Sequence, residues 1–236
     1  MFEVDHIPVW MQDRDGGVLR LSEAAGLPIL EGFAPDGRQV ARGLRFSNGP
    51  FIDVHQSQAD GPVLLALLGD VDAAEALADQ QGWRIRTERR SREPDAAPWS
   101  ILSFRRGQGL LSTMFVIDYA RDAGAWTSPV FNGGLYHRPA GPGCALRRVW
   151  LTAVDPEQAG GALEALGFVH GDEARSSAAP RSGRIYRGGR VDIVLAAGED
   201  AVVRFDVEAD GPPQVVEIGA RLTVVIGREP DATQQG

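Results

Sequence analysis

The chain of 236 residues carries a formal net charge of −8, and its 43% hydrophobic and 24% charged residues lie near the averages of globular proteins. All 24 basic residues are arginine, because the chain contains no lysine. Schiff-base chemistry, pyridoxal phosphate attachment and P-loop phosphate binding all require a lysine amine, so these classes are excluded. The arginines are scattered through an acidic chain, so nucleic acid is not an expected partner.

Nothing in the sequence predicts export or membrane insertion. No apolar run approaches the roughly 18 residues that a membrane-spanning helix requires. The N-terminus carries an acid where a signal peptide would carry basic residues. The single cysteine, Cys144, cannot form an internal disulfide, which is typical of a reducing compartment. We therefore expect a cytoplasmic protein with no membrane partner.

A helix signature, in which an aspartate begins the helix and a glycine ends it, occurs three times along the chain. The predicted helices run from Asp13 or Asp15 to Gly26, from Asp72 to Gly82 and from Asp155 to Gly167. In the second helix, Glu75 is expected to complete a capping box with Asp72. Each helix follows one apolar strand and precedes two or three more, which predicts an α+β fold of tandem βαβββ modules.

The modules suggest boundaries within the chain. Modules one and two are expected to pair within residues 1–120, and a Gly/Pro-rich linker or loop to occupy 121–144. Residues 145–228 are predicted to hold the third module and further strands, which resemble a module without its helix. The last residues, 229–236, are predicted to be disordered.

The repeated unit, with a histidine in its first strand and an acid in its last, resembles the vicinal oxygen chelate superfamily. The segments VDHIPVW, FIDVHQ, TMFVIDYA and LRRVWLTAVDPEQAGGALEALGF, and the YHRP stretch near residue 137, look more closely like the bacterial glyoxalase-like domain family. The resemblance implies cupped mixed sheets of the glyoxalase/bleomycin resistance/dioxygenase type. It also implies a divalent metal held inside the cup by first- and last-strand residues, or a cup that has lost the metal and binds a ligand.

Alternation along the strands of module one predicts which side chains line the cup. In the first strand, Ile7, Val9 and Met11 are expected to pack on the helix, whereas Val4, His6, Pro8 and Trp10 point the other way. In the last strand, the residues on that opposite side are Phe51, Asp53 and His55. The set His6, Asp53 and His55 suits Fe(II), Mn(II) or Zn(II). By resemblance, His6 matches the family's first-strand ligand, and Asp53 lies where a glutamate is usual. A buried His6–Asp53 hydrogen-bonded pair is the alternative.

Module three carries different residues at the matching positions. Arg148 falls near the place of His6 and Asp192 near that of Asp53. Because arginine stays protonated and does not ligate metals, these two are expected to form an ion pair or to bind a ligand, with Arg148 holding a carboxylate. Trp10 and Phe51 are the expected ligand-binding residues of module one.

The sequence predicts a protein that binds a small organic molecule in a cup, and it leaves the chemistry open. One reading is a metal-dependent lyase, isomerase or dioxygenase in which the ion polarises oxygens of the substrate. The other readings are a metal-free binding or sequestering protein, as in resistance proteins, and a structural protein whose cup is filled with side chains. No catalytic residue is assigned, and the oligomeric state, a homodimer included, is left open.

Overall fold

The computed structural model describes residues 1–34, 37–91, 96–120, 134–136, 143–211, 213–219 and 221–227. The N-terminal half contains β1 (Glu3–Met11), α1 (Arg14–Ala25), β2 (Leu30–Phe33), β3 (Gln39–Arg45), β4 (Phe51–Gln56), β5 (Leu65–Leu68), α2 (Val71–Gln81), β6 (Ile85–Glu88), β7 (Trp99–Phe104), a 3₁₀ helix (Gly109–Thr113) and β8 (Met114–Tyr119). The C-terminal half contains β9 (Ala145–Ala153), α3 (Pro156–Ala165), β10 (Val169–Arg175), β11 (Ser182–Arg187), β12 (Asp192–Ala197), β13 (Ala201–Glu208), β14 (Gln214–Ile218) and β15 (Leu222–Ile226).

These strands form two mixed sheets with related topologies. The eight-stranded first sheet has the order β2-β3-β4-β1-β5-β8-β7-β6, and the seven-stranded second sheet has the order β10-β11-β12-β9-β13-β15-β14. In each sheet two parallel pairs, β1–β4 and β5–β8 or β9–β12 and β13–β15, join through an antiparallel contact of their first strands. The predicted α+β fold of tandem βαβββ modules is confirmed.

The C-terminal strands form a shortened fourth module. In the second sheet β13, β15 and β14 take the places that β5, β8 and β7 have in the first. Among the described residues of this segment there is no helix after β13 and no counterpart of β6. Helix α1 packs against β14 as well as against β3 and β4 of its own sheet.

The two sheets share one hydrophobic core on their helix-bearing sides. That core joins Ile7 and Val9 of β1 to Val149 and Leu151 of β9. The rings of Phe46 and Phe205 meet edge to face across it, with centroids 6.3 Å apart. Because both sheets turn their helix sides inward, their concave faces point outward, away from each other.

Helix boundaries agree with the capping analysis in two of three cases. Asp13 and Asp155 accept backbone hydrogen bonds as the N-caps of α1 and α3. In α2 the N-cap is Asp70, which accepts from the backbone N–H of Ala73 at 2.9 Å, so the prediction of Asp72 was wrong by two residues. Asp72 binds Arg89 instead, at 2.6 Å. An N-cap needs an extended backbone before the first turn, and Asp70 has it.

Parts of the chain that the sequence singled out lie outside the described residues. Of the predicted linker at 121–144, the structure describes 134–136 and 143–144, and the predicted tail at 229–236 is not described. No described helix has the length and hydropathy needed to cross a bilayer.

Candidate functional site

The concave face of the first sheet, called the first cup below, gathers polar and aromatic side chains from five strands. The side chains that make contacts across this face are Asp5, His6, Trp10, Arg45, Phe51, Asp53, His55, Trp99, Phe115 and Tyr119. The helix-facing partners of these residues, Ile52 and Val54 among them, lie in the shared core. Alternation therefore placed His6, Trp10, Phe51, Asp53 and His55 together correctly.

A break in the strand register brings one further acid into the cup. The pairing of β1 with β5 shifts between Val4 and His6. Because of this irregularity, Val4 lies in the core, although alternation had placed it on the concave face. Asp5 contacts His6 within the cup, and its Oδ2 lies 2.6 Å from Nδ1 of His6. Asp5 could not be identified from strand alternation, since a bulge interrupts the pattern on which the prediction rested.

Asp5 fixes the orientation of His6. The hydroxyl of Tyr119 donates to Oδ2 of Asp5 at 2.8 Å. Burial, together with the charge of Asp5, raises the pKa of Tyr119 well above its ordinary value, so the hydroxyl stays protonated and acts as a donor. A carboxylate only accepts hydrogen bonds, so Nδ1 of His6 donates a hydrogen bond to Asp5. The other ring nitrogen of His6 is Nε2. Nε2 makes no hydrogen bond to any part of the chain that the structure describes.

Phe51 is covered on both faces of its ring. Strand β4 lies between β1 and β3, and Phe51 is the register partner of His6 on one side and of Arg45 on the other. The imidazole of His6 stacks parallel to the ring at 4.5 Å, and the guanidinium of Arg45 lies 4.6 Å from its centroid. Phe51 is 1% exposed, so the structure places it as a buried support for these two polar groups.

Arg45 ties a segment of the predicted linker to the cup. Its guanidinium donates to the backbone carbonyls of Gly49 at 2.7 Å, Leu135 at 2.8 Å and Tyr136 at 3.2 Å. The N–H of Leu135 donates to the carbonyl of Glu31 at 2.9 Å. Burial lowers the pKa of Arg45, but the nearby Asp5 opposes this effect. The arginine therefore fixes residues 134–136 over the edge of the sheet.

Tyr136 spans the cup from one module to the other. Its ring lies 6.1 Å from that of Phe51 on β4 and 5.4 Å from that of Trp99 on β7. A side chain at Gly32 would collide with the Tyr136 hydroxyl, since an added Cβ would lie 2.6 Å from it. Burial raises the pKa of Tyr136, and the charge of Asp53 adds to the effect. Tyr136 therefore adds an aromatic ring to the cup from a segment that belongs to the predicted linker.

Asp53 and His55 form a second histidine–aspartate pair. Nε2 of His55 lies 3.1 Å from Oδ2 of Asp53, and the imidazole stacks on Trp10 at 4.9 Å. Burial acts to lower the pKa of His55. The hydrogen bond to Asp53, the negative charge of Asp53 and a hydrogen bond to the backbone of Val40 outweigh burial, so the pKa is raised. Asp53 is 4% exposed, and its Oδ1 is buried without a hydrogen-bond partner.

The concave face of the second sheet is filled with side chains. Trp150 and Arg204 are completely buried, and the guanidinium lies 4.7 Å from the centroid of the indole. Asp206 accepts from Nε1 of Trp150 at 2.7 Å and from Nε of Arg204 at 2.6 Å. Burial raises the pKa of Asp206 despite the charge of Arg204. This face therefore matches the reading of a cup filled with its own side chains.

Arg148 and Asp192 lie side by side on this second face. They are direct register partners on β9 and β12, and Asp206 is the partner of Arg148 on the other side. The helix-facing neighbours Val149 and Ile193 lie in the core, as alternation predicted. Arg148 and Asp192 do not form an ion pair within 4.0 Å, and Nε of Arg148 is buried without a hydrogen-bond partner. Arg204 and Asp206 carry the ionic contact instead.

The residues of the first cup do not fit a three-ligand metal centre. Among the described residues, no group of three or more His, Cys, Asp or Glu side chains is arranged to hold a metal ion. Each histidine has a nitrogen committed to its own aspartate. Ligation requires a neutral imidazole, and the pKa of His55 is raised because the effect of Asp53 outweighs that of burial. The predicted set His6, Asp53 and His55 is brought to one face but is divided between two pairs.

No protein-family model matches the chain, and no curated protein matches its sequence. A hypothetical protein from Staphylococcus aureus is similar in structure, with a TM-score of 0.66, 10% identity, and coverage of 96% of this chain and 100% of that chain. The 2,3-dioxygenase LapB from Pseudomonas sp. KL28 has a TM-score of 0.57 and 12% identity, with coverage of 99% and 95%. The Mn(II)-bound glyoxalase from Novosphingobium aromaticivorans has a TM-score of 0.59 and 13% identity, with coverage of 96% and 82%.

At identities of 10–13% these likenesses concern the fold alone. They extend over both sheets, because nearly all of this chain is covered in each case. A glyoxalase and a dioxygenase are among the matches, which agrees with the fold that the sequence motifs implied. The chain therefore has the tandem βαβββ fold of the vicinal oxygen chelate superfamily.

Proposed function

We propose that the first cup binds a small aromatic molecule that donates an N–H or O–H hydrogen bond to Asp53, and that it does so without a metal ion. The observation that carries the proposal is the buried Oδ1 of Asp53, which has no partner. A buried polar atom left unpaired costs about 1–3 kcal/mol, and more when it is charged. A donor on a ligand would remove that cost, so the site is built to favour ligands that carry one.

The surroundings of Asp53 suit a planar ligand. Trp10 and His55 form one stack beside it, and Trp99 and Tyr136 approach each other on the far side of the cup. Aromatic walls with one well-placed polar group are typical of small-molecule sites. Because the pKa of His55 is raised, a positive charge on its imidazole is favoured beside the carboxylate, and such a charge favours a neutral donor over a cation.

A metal-dependent lyase, isomerase or dioxygenase is the second candidate. It is favoured by the fold neighbours, one of which is a Mn(II)-bound glyoxalase and another a 2,3-dioxygenase. If a metal bound here, Nε2 of His6 and Oδ1 of Asp53 would be the atoms able to hold it, because neither has a partner among the described residues. The metal would supply Lewis-acid activation of a bound oxygen.

The ligand proposal is tested with matched pairs of small aromatics. Binding of phenol against anisole, and of indole against N-methylindole, is followed by calorimetry. We expect the donor-bearing member of each pair to bind at least about tenfold more tightly, because the analogue without the donor leaves the carboxylate unpaired. Asp53→Asn should abolish this preference, whereas Asp192→Asn, the same change in the second cup, should preserve it. Equal affinity within both pairs would refute the proposal.

Metal titration separates the two candidates. Purified protein is titrated with Fe(II), Mn(II) and Zn(II), and binding is compared with that of a His6→Ala variant. The metal-free site predicts no binding that depends on His6. Stoichiometric binding of one ion that His6→Ala removes would favour the metal-dependent candidate instead.

A further inference from the structure

A second candidate binding site lies at the end of the outermost hairpin of the first sheet. Strands β6 and β7 border a groove of about 480 Å³, which is within the size range of small-molecule sites. Its lining consists of Arg84, Arg86, Ser103, Phe104, Arg105 and Arg106. Four of these six residues are arginine, in a chain whose net charge is −8. The groove is thus a local reversal of the charge of the molecule.

Three of these arginines have no acidic partner among the described residues. Some exposed arginines elsewhere pair with acids, as Arg175 does with Glu173. Within the groove Arg86 has such a partner, Glu88, at 2.8 Å. Arg84, Arg105 and Arg106 have no carboxylate within 4.0 Å in the part of the chain that the structure describes. Three guanidinium groups at one groove repel one another unless an anion joins them.

The backbone that carries the arginines is held rigidly. The carboxamide of Gln108 accepts from the N–H of Arg84 at 2.7 Å and donates to the carbonyls of Arg84 at 2.7 Å and Arg105 at 3.1 Å. Gly107 and Gly109 have φ angles of +79° and +59°, which other residues rarely adopt. Ser112 donates to the carbonyl of Arg105 at 3.2 Å. The turn between β7 and the 3₁₀ helix therefore fixes the two strand ends relative to each other.

Two of the side chains are also held in place. Nη2 of Arg84 donates to the carbonyl of Arg106 at 3.0 Å, and Nε of Arg105 donates to the carbonyl of Ile85 at 3.3 Å. Each guanidinium keeps further N–H groups for a ligand, because arginine has five donors in a planar fork. The buried ring of Phe104, which Trp83 meets edge to face, lines the groove with apolar surface.

From this arrangement we propose that the groove binds the phosphate group of a small organic molecule. Phosphate offers several acceptor oxygens and matches the arginine fork in bidentate fashion, which a lone chloride or a single carboxylate does not do at several arginines at once. The apolar ring beside the arginines suits the organic part of the molecule. This site is independent of the first cup and of what the cup binds.

The test is calorimetric titration with phenyl phosphate, inorganic phosphate and phenol. Phenyl phosphate is expected to bind saturably at about 0.15 M salt, where nonspecific surface attraction is largely screened. Phenol should not bind at the groove, so phenol binding that survives Arg84→Gln/Arg105→Gln is assigned to the first cup. If inorganic phosphate binds as tightly as phenyl phosphate, the groove recognises the free ion and the organic part of the proposal is wrong.

Variants identify the groove. Arg84→Gln/Arg105→Gln should weaken phenyl phosphate binding by about tenfold or more, since two bidentate contacts are lost. Arg175→Gln/Arg187→Gln, which removes the same charge from β10 and β11, should leave the affinity within about twofold, because distant charges are screened. Equal loss in both double variants, or binding seen only at low salt, overturns the proposal.

Single substitutions test the proposal even if the double variant does not fold. The side chain of Arg106 makes no hydrogen bond or ion pair to the described residues, so Arg106→Gln should keep the fold and still weaken binding. Arg105→Lys keeps the charge but loses the fork, and it is expected to bind more weakly than wild type. Wild-type affinity in both single variants would show that the groove is not the site.

Discussion

The first cup is organised around two histidines, and each has an aspartate on one nitrogen and an aromatic ring against one face. His6 is paired with Asp5 and His55 with Asp53. Strand alternation brought His6, Asp53 and His55 to one face correctly. It could not find Asp5, because the register shift after Val4 is set by pairing with another strand and leaves no mark in the hydrophobic pattern.

The His55–Asp53 pair makes stability depend on pH. The pKa of His55 is raised in the folded protein, so its contribution to stability is fully present below about 6.5, the ordinary value for unfolded chains, and is lost as pH rises through the folded pKa. We expect the free energy of unfolding of wild type, relative to His55→Gln, to decrease as pH rises above about 6.5. Urea unfolding of both proteins at several pH values measures this difference in the free energy of unfolding. The substitution Asp53→Asn should weaken its dependence on pH. A difference that grows with pH would contradict the assignment.

At the level of the elements, the concave face of the second sheet is occupied by the protein's own side chains instead of a ligand. Arg204 and Asp206 lie two residues apart on β13 and share the space with Trp150. The sequence pattern singled out the neighbouring strands through Arg148 and Asp192, which are register partners on β9 and β12 but form no ion pair. It missed Arg204, because a fully buried arginine looks like any surface arginine in a sequence.

Breaking the Arg204–Asp206 pair should be costly. Arg204→Met leaves a buried carboxylate without its guanidinium, and we expect a loss of about 3–5 kcal/mol in the free energy of unfolding. The double variant Arg204→Met/Asp206→Asn removes the charge yet keeps an oxygen for Trp150, and it should recover part of that loss. Chemical denaturation of the two variants checks this. A double variant less stable than the single one would show that the broken Arg204–Asp206 pair is not the cause of the lost stability.

The start of α2 offers a second prediction about an element. Asp70→Ala removes the side chain that accepts from the N–H of Ala73 and should destabilise the protein by about 1 kcal/mol. Asp72→Ala removes an exposed ion pair with Arg89 and a first-turn acid but no cap, and it should cost less than Asp70→Ala does. Thermal unfolding of both variants compares them, and a larger effect at Asp72 would restore the original capping assignment.

For the whole molecule, the repeat pattern in the sequence was sufficient to predict the fold. The helix signatures and the strand counts predicted tandem βαβββ modules, and the two sheets have that topology. The sequence could not show which faces of the modules would meet, since a shared core depends on contacts between residues far apart in the chain. It also left open which of the two cups would be filled.

Because the sheets share one core, the two halves should unfold together. Phe205 is completely buried and contacts Phe46 of the other half. Phe205→Ala is expected to lower the free energy of unfolding by about 3–5 kcal/mol while leaving a single transition. Unfolding followed by both fluorescence and circular dichroism checks this. Two separate transitions in wild type would show that the halves are independent.

The fourth module has no helix of its own among the described residues, and a helix of module one packs on its strands instead. Helix α1 covers β14 and at the same time backs β3 and β4, the strands that carry Arg45 and Asp53. A substitution on the inner side of β14 can therefore shift the wall of a cup to which β14 supplies no atom. Substitutions in the last third of the chain are therefore constrained by a site in the first third. Closely related chains should conserve the α1-facing side of β14 together with the first cup.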